Sequence, residues 1–401
     1  MQNNRISSLP RPFILTAFDT MQQTRDEAYP FTQEANFYWL THINEAGWLV
    51  IGDEGEGKSG GQLHLMAPDR TDIQRLFEGG LSHAEATALS GIPSVLTQAE
   101  GEAYIQRLAK KHKKVYSLGR DPYDSYNTFT RNPAPERLRR TLRKYFKQVG
   151  DIRPELTTLR AQKQPGEIAE IRQAIAITQQ AFEEVRHRLK TYTYEYEIEA
   201  DMTRTIRRQG AAGHAYEPIV ASGKNALVMH YAENNAKLVP GTVVLMDVGA
   251  QYGAFAADIT RTYAYGGADN VEVSARTRAV HEALVAAHKA IISCITPGLF
   301  FADYQKQSDA IMKDALMKLG LLDDAADNKT YRKYFPHAIS HGLGIDVHES
   351  LGGDQFKPGM VVTVEPGIYI PEEAIGIRVE DDILVTETGN ENLSKSLSLE
   401  L

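Results

Sequence analysis

Four acidic residues in the second half of the chain fall into two pairs, each centred on a turn. Asp247 and Asp258 flank Tyr252-Gly253 symmetrically, and Glu365 and Glu380 flank the segment Pro371 to Gly376 in the same way. Apolar runs lead into both pairs: Val243-Val244-Leu245-Met246 before Asp247, and Val361-Val362-Thr363-Val364 before Glu365. If each segment folds back as an antiparallel hairpin, each acid faces its partner. The Cβ atoms then stand about 4.5–5.5 Å apart, where like charges oppose folding. Apolar flanks imply burial, and an unpaired buried anion is costlier still. Four carboxylates alone could form a surface acidic cluster. Buried in pairs, they require a positive charge between them, and a divalent metal ion is the best candidate.

Histidine sharpens the argument. His341 lies in Ser340-His341-Gly342-Leu343-Gly344, where glycines let the backbone approach a site closely. His230, His337 and His348 are further candidates. His337 and His341 have the i, i+4 spacing of an HExxH zinc helix. No glutamate follows His337, however, and Gly342 and Gly344 weaken a helix there, so that chemistry is rejected. Any one histidine taken alone reads as structural. With two acid pairs, the set reads as a metal centre.

The elements that must carry these residues follow from pattern and size. A chain of 401 residues is long for one domain, and two are expected: 1–153 and 154–401. Strand-like runs at Phe13-Ile14-Leu15, Asn36-Phe37-Tyr38-Trp39-Leu40, Trp48-Leu49-Val50-Ile51 and Val115-Tyr116-Ser117-Leu118 alternate with helical patterns at Gln98 to Lys113 and Pro135 to Gln148. That rhythm predicts an α/β domain. Gly150-Asp151-Ile152-Arg153-Pro154 reads as a linker. Pro165 then opens a long helix, where its missing N–H costs nothing. Ile168, Ile171, Ile175, Phe182, Val185 and Leu189 recur along one of its faces. A second helix ends at Gly210, and two more run from Ser274 to about Ile295 and from Ala302 to Leu319. Antiparallel hairpins among helices predict an α+β fold for this half.

Composition excludes several classes. A net charge of −8 argues against nucleic acid or an anionic membrane as main partner. The single cysteine, Cys294, excludes an internal disulfide and CxxC chemistry, and its apolar helical setting suggests an inert thiol. No apolar h-region marks the first twelve residues and no run is long enough to cross a bilayer, so the cytoplasm is the expected compartment. Gly52-Asp53-Glu54-Gly55-Glu56-Gly57-Lys58-Ser59 matches the P-loop pattern, yet Gly60-Gly61 and a strand-like run follow where a helix should begin. Asp53, Glu54 and Glu56 would also repel phosphate, so a hairpin loop is expected. Arg137, Arg139, Arg140, Arg143, Lys144 and Lys147 line one basic helix, which reads as a solvated face.

From about Ile168 to Leu397 the chain resembles the pita-bread metallopeptidases. The resemblance rests on Ala221-Ser222-Gly223-Lys224-Asn225-Ala226, Asp258-Ile259-Thr260-Arg261-Thr262, the run from His341 to His348, and Val364-Glu365-Pro366-Gly367-Ile368-Tyr369. The run Thr386 to Leu393 resembles aminopeptidase P in particular. A weaker likeness in Tyr29-Pro30-Phe31 and Asn36 to Leu40 extends to that family's amino-terminal, creatinase-like domain.

The resemblance implies a dinuclear centre held by Asp247, Asp258, His341, Glu365 and Glu380. Asp247 would serve one ion, His341 and Glu365 the other, with Asp258 and Glu380 bridging. It implies two divalent ions that lower the pKa of a water molecule to make the nucleophile, with Mn2+ favoured by the oxygen-rich set and Co2+ or Zn2+ as alternatives. It further implies that His348 and His230 assist at the oxyanion and that His337 supports the substrate pocket. Glu365 would pass a proton to the departing proline nitrogen. Arg378, two residues before Glu380, either steadies the carboxylates or contacts substrate. The expected activity is release of the first residue from peptides with proline second, by a homodimer or homotetramer. Xaa-Pro dipeptidase is the nearest alternative, and a peptide-binding domain without catalysis is the non-enzyme alternative.

Overall fold

The computed structural model describes residues 6–55, 61–120 and 129–401. The chain divides into two units, Met1–Leu159 and Arg160–Leu401. In the first, the apolar runs form β1 (Phe13–Thr16), β2 (Leu49–Asp53), β3 (Gln62–Met66), β4 (Ser94–Leu96), β5 (Lys114–Ser117) and β6 (Gln148–Asp151). They make one sheet in the order β4-β3-β2-β1-β5-β6. The β1–β2 and β2–β3 pairs are antiparallel and the rest parallel. Helices Gln98–Lys111 and Ala134–Tyr145 cover it, packing Ile105, Leu108, Leu138 and Leu142 on Ile14, Ile51 and Val115.

Two expectations change here. Asn36 to Leu40 is helical, within Ala35–Thr41, because Glu34 caps it by accepting the Phe37 N–H at 2.7 Å. A short, mostly aromatic and largely buried run carries no period that separates strand from helix. The segment 150–154 is not a linker, since Gly150 and Asp151 pair with β5 as part of β6, and Arg153 begins the helix Arg153–Ala161. The basic stretch is a solvated face, with Arg137, Arg140, Arg143, Lys144 and Lys147 exposed; Arg137 pairs there with Asp19, and the half-buried Arg139 donates to Leu118 O at 3.0 Å. The P-loop look-alike joins β2 to β3, which run antiparallel with Asp53 opposite Gln62, as a hairpin requires. Residues 56–59 of that motif lie outside the described residues.

The second unit holds β7 (Gly213–His214), β8 (Ile219–Ser222), β9 (Thr242–Val248), β10 (Ala250–Tyr252), β11 (Phe255–Ala256), β12 (Ile259–Tyr265), β13 (Val361–Val364), β14 (Gly367–Ile370), β15 (Ile375–Arg378), β16 (Asp381–Val385) and β17 (Asn390–Asn392). Every pairing of these strands among the described residues is antiparallel. Helices Pro165–Arg188, Glu195–Arg208, Ala275–Cys294 and Phe301–Lys318 pack around them. Pro165 occupies the first helical turn, and Glu167 closes the cap by accepting the Gln164 N–H. Ser274 accepts the Thr277 N–H at the start of the third helix. Leu284, Ile291, Met312 and Leu316 from two helices share one core with Val362, Val364, Ile368, Ile377 and Ile383 from the strands. The unit is α+β, and the strands beneath this core carry the acids. No helix among the described residues is long and apolar enough to cross a membrane.

Candidate metal centre

The first acid pair rides on a single long hairpin. Its inner part pairs Gln251 with Ala256 and Tyr252 with Phe255, around a turn at Gly253-Ala254 where Gly253 has φ +59°. The outer part keeps that register and sets Asp247 opposite Thr260. Asp258 is therefore diagonal to Asp247 rather than directly across, because the turn is centred one residue later than the sequence symmetry suggested. Residues two apart share a strand face, so both acids still point the same way. The second pair keeps the expected register: Val364 opposes Asp381 and Gly367 opposes Arg378, which sets Glu365 against Glu380. At their level the strands part. The Glu365 N–H goes to Ile339 O and the Glu380 N–H to Thr260 O, each at 3.0 Å, so Glu380 is tied directly to the first hairpin.

The four acids and His341 thereby converge. One ligand atom each from Asp247, Asp258 and Glu380 lies within 4.8 Å of the others, and the same holds for His341, Glu365 and Glu380. Asp247, Asp258 and Glu380 are buried. The His341 Nδ1–H donates to Gly342 O at 3.0 Å, which leaves Nε2 facing Asp258 Oδ2 and Glu365 Oε1, both at 3.4 Å. A backbone carbonyl fixing one ring nitrogen while the other faces the site is how metal-binding histidines are held. A cation with ligand bonds of roughly 2.0–2.2 Å keeps neighbouring donors about 3–3.5 Å apart, which these spacings match.

Electrostatics point the same way. Burial raises the carboxyl of Glu365 to about 7, with the charges of Asp258 and Asp247 adding to it. Burial and its three acidic neighbours push Glu380 well above the carboxylate range, and burial also raises Asp247. Burial pulls His341 down, but the Asp258 hydrogen bond and the Glu365 charge overcome it and lift the imidazole to about 9. A cluster that holds protons this firmly is short of positive charge, and a pair of divalent ions would balance four carboxylates. The donor set fits the metal that the sequence implied.

Neighbouring side chains fix the acids. The Tyr216 hydroxyl stands 2.5 Å from Asp247 Oδ1 and 2.6 Å from Asp258 Oδ1. Thr260 Oγ1 donates to Glu380 Oε2 at 2.7 Å and accepts from Arg378 Nε at 3.1 Å. Arg378 Nη2 donates to Asp247 Oδ2 at 2.5 Å and Nη1 to the Tyr369 hydroxyl at 2.9 Å. All three nitrogens of Arg378 are thus engaged by protein, which is the steadying arrangement. The Tyr369 O–H continues to His337 Nε2 at 2.9 Å, and His337 Nδ1 donates to Ala338 O at 2.7 Å. That chain requires a neutral His337, in keeping with a pKa that burial and Arg378 lower to about 4. His337 lies in a bend, not a helix.

His348 stands on the exposed rim, its ring edge-on to His341 with centroids 4.4 Å apart. Desolvation and His341 lower its pKa, with a smaller lowering from His230. Contacts link eight of the nine residues singled out in the sequence, all but His230. Tyr216 was missed, as it lies between β7 and β8 where no pattern marks it. Tyr369 was legible in principle: it pairs with Gly376, so it is the diagonal neighbour of Arg378 on one face.

Known proteins match this chain along nearly its whole length. The profile of metallopeptidase family M24 matches residues 169–387, and that of the aminopeptidase P amino-terminal domain matches 4–116. The chain is 31% identical to Xaa-Pro aminopeptidase of Escherichia coli (strain K12), over 96% of this chain and 90% of that protein. The structure of proline aminopeptidase P II from Yersinia pestis superposes with a TM-score of 0.82 at 30% identity, covering 99% of this chain and 95% of that one. Aminopeptidase P from E. coli with the inhibitor Pro-Leu also gives 0.82, at 28% identity over 98% and 93% of the two chains. With both profiles matched and similarity extending over nearly its whole length, the chain belongs to metallopeptidase family M24, in the two-domain form of aminopeptidase P.

Proposed function

We propose that this protein is an Xaa-Pro aminopeptidase, a metal-dependent hydrolase that releases the first residue of peptides with proline in second position. The observation that carries the reading is the convergence of two hairpins and His341 into overlapping ligand groups that share Glu380. Asp247, Asp258, His341, Glu365 and Glu380 would hold two divalent ions, Mn2+ foremost. When bound, the metal supplies a water of lowered pKa as nucleophile.

The protein groups do the rest. Glu365 borders His341 on one oxygen and His337 on the other, where it can carry a proton toward the departing nitrogen. The bond before proline is a tertiary amide whose nitrogen has no hydrogen, so that nitrogen must gain a proton to leave. His348 and His230 offer N–H donors to charge developing on the carbonyl oxygen. Arg378 acts on Asp247 and Tyr369 rather than on substrate, and Tyr369 in turn holds the His337 ring. The peptide-binding reading without catalysis predicts no turnover at all.

The test is an assay of Xaa-Pro dipeptides against Xaa-Pro-Xaa tripeptides with added Mn2+, alongside metal analysis. Tripeptide cleavage that a chelator abolishes supports the proposal. Cleavage of dipeptides alone would reassign the protein as a dipeptidase, and peptide binding without cleavage or metal would make it a binding domain.

A further inference from the structure

A buried ion cluster stands behind the two facing histidines, and neither ligation nor proton transfer uses it. Glu349 follows His348 directly and is 7% exposed. Its carboxylate takes one cation on each oxygen, Arg160 Nη2 on Oε1 and Lys163 Nζ on Oε2, both at 2.5 Å. Arg160 and Lys163 are buried as well, and Arg160 Nη2 also reaches the exposed Asp346 at 2.8 Å. Taking these charges out of water opposes folding, and apolar residues of equal volume would avoid that cost. Packing alone therefore does not account for the cluster.

Its place in the chain does. The Gly342 N–H donates to Glu349 O at 3.0 Å and the Glu349 N–H to Gly342 O at 2.8 Å. These two bonds close the loop whose ends carry His341 and His348. At Gly344 an added Cβ would lie 2.5 Å from the Glu349 carboxylate, so the loop backbone packs against the charged group itself. The cations are anchored in turn: the Lys163 N–H donates to Gly359 O at 2.8 Å, and the Gly359 N–H to Val385 O at 2.9 Å, at the end of β16. That strand begins one residue after Glu380. The cluster thus refers the His348 loop back to the strand beside a metal ligand.

We propose that Arg160, Lys163 and Glu349 are positioning residues that fix the His348 imidazole against His341. The inference rests on the peptidase reading, in which His348 assists at the carbonyl oxygen. An exposed side chain on a loop keeps one orientation only where its backbone is pinned, and a donor displaced by about 1 Å can cost roughly 100-fold in rate.

The experiment pairs Lys163→Met with Glu349→Gln, which removes one charge of each sign and leaves Arg160 with Asp346. The expected result is a fall in kcat toward an Xaa-Pro-Xaa tripeptide of about 10- to 100-fold, with KM and bound metal near wild type. Added to His348→Ala, the same pair should cost nothing further, because both act through one imidazole. Glu349→Asp, which keeps the charge but shortens its reach, should give a smaller loss nested in the same way if the double variant folds poorly. Wild-type kcat in both, or losses that multiply with His348→Ala, would overturn the proposal. NMR of 13Cε1-labelled histidine, assigned with His348→Ala, reads the ring independently of turnover. The His348 signal should move or broaden in the variants, and an unchanged signal overturns positioning. A wild-type protein inactive on every Xaa-Pro peptide would instead remove the peptidase reading.

Discussion

Asp258 joins the first hairpin to the histidine side of the centre. Its side chain meets the Tyr216 hydroxyl and His341, and its backbone N–H donates to Asp382 Oδ2 at 3.1 Å. Asp258→Asn removes a charge without changing shape, so turnover should fall by at least about 100-fold, beyond the 10- to 100-fold typical of changes in the outer shell. Wild-type turnover in that variant would rule out the ligand assignment. Glu365 makes a second prediction. Its folded-state pKa of about 7 exceeds the unfolded value of roughly 4.3, so the cation-free folded state holds this proton more tightly. The resulting contribution to stability is present below the unfolded value and is lost as pH rises through about 7. Metal relieves the repulsion that grows with pH. Added Mn2+ should therefore raise Tm by several degrees more at pH 8 than at pH 6, as calorimetry would show; an equal rise at both would separate Glu365 from the metal.

Elements place those residues, and their ends are open to test. Ser274 caps the helix Ala275–Cys294 by accepting the Thr277 N–H at 3.0 Å. Ser274→Ala should cost about 1 kcal/mol, read as a Tm lower by roughly 2–4 °C, with kcat unchanged. The same helix carries His281 and His288, both buried, and burial lowers each to about 4. Since the unfolded chain takes up these protons near 6.5, stability is lost as pH falls below that value. His281→Gln should lose less Tm than wild type between pH 7 and pH 5 under matched conditions. How the elements were legible differs by kind. Long helices with proline or serine at their starts were plain in the sequence, as was the register that opposes Glu365 to Glu380. The first hairpin was read one residue early because Tyr252, Gly253 and Ala254 all tolerate a turn, and only the observed backbone decides among them. Asn36 to Leu40 was misread because a short aromatic run, largely buried, shows no clear period. Tyr216 was invisible because it reaches Asp247 and Asp258 from more than thirty residues away.

At the scale of the whole molecule, all five proposed ligands lie between residues 247 and 380, within the unit Arg160–Leu401. Metal should therefore stabilise that unit alone. In calorimetry, a chelator should lower one transition and leave the one belonging to Met1–Leu159 in place; a uniform shift would mean the two units melt together. The paired geometry carries an implication for descent. Side chains alternate along a strand, so removing one residue from the Gly253-Ala254 reversal would swing Asp258 to the opposite side and turn the strand after it over as well. A descendant could in that way shed hydrolysis in a single step, provided the turned strand repacks. Silent cousins of such an enzyme need not decay gradually, for a lone codon suffices.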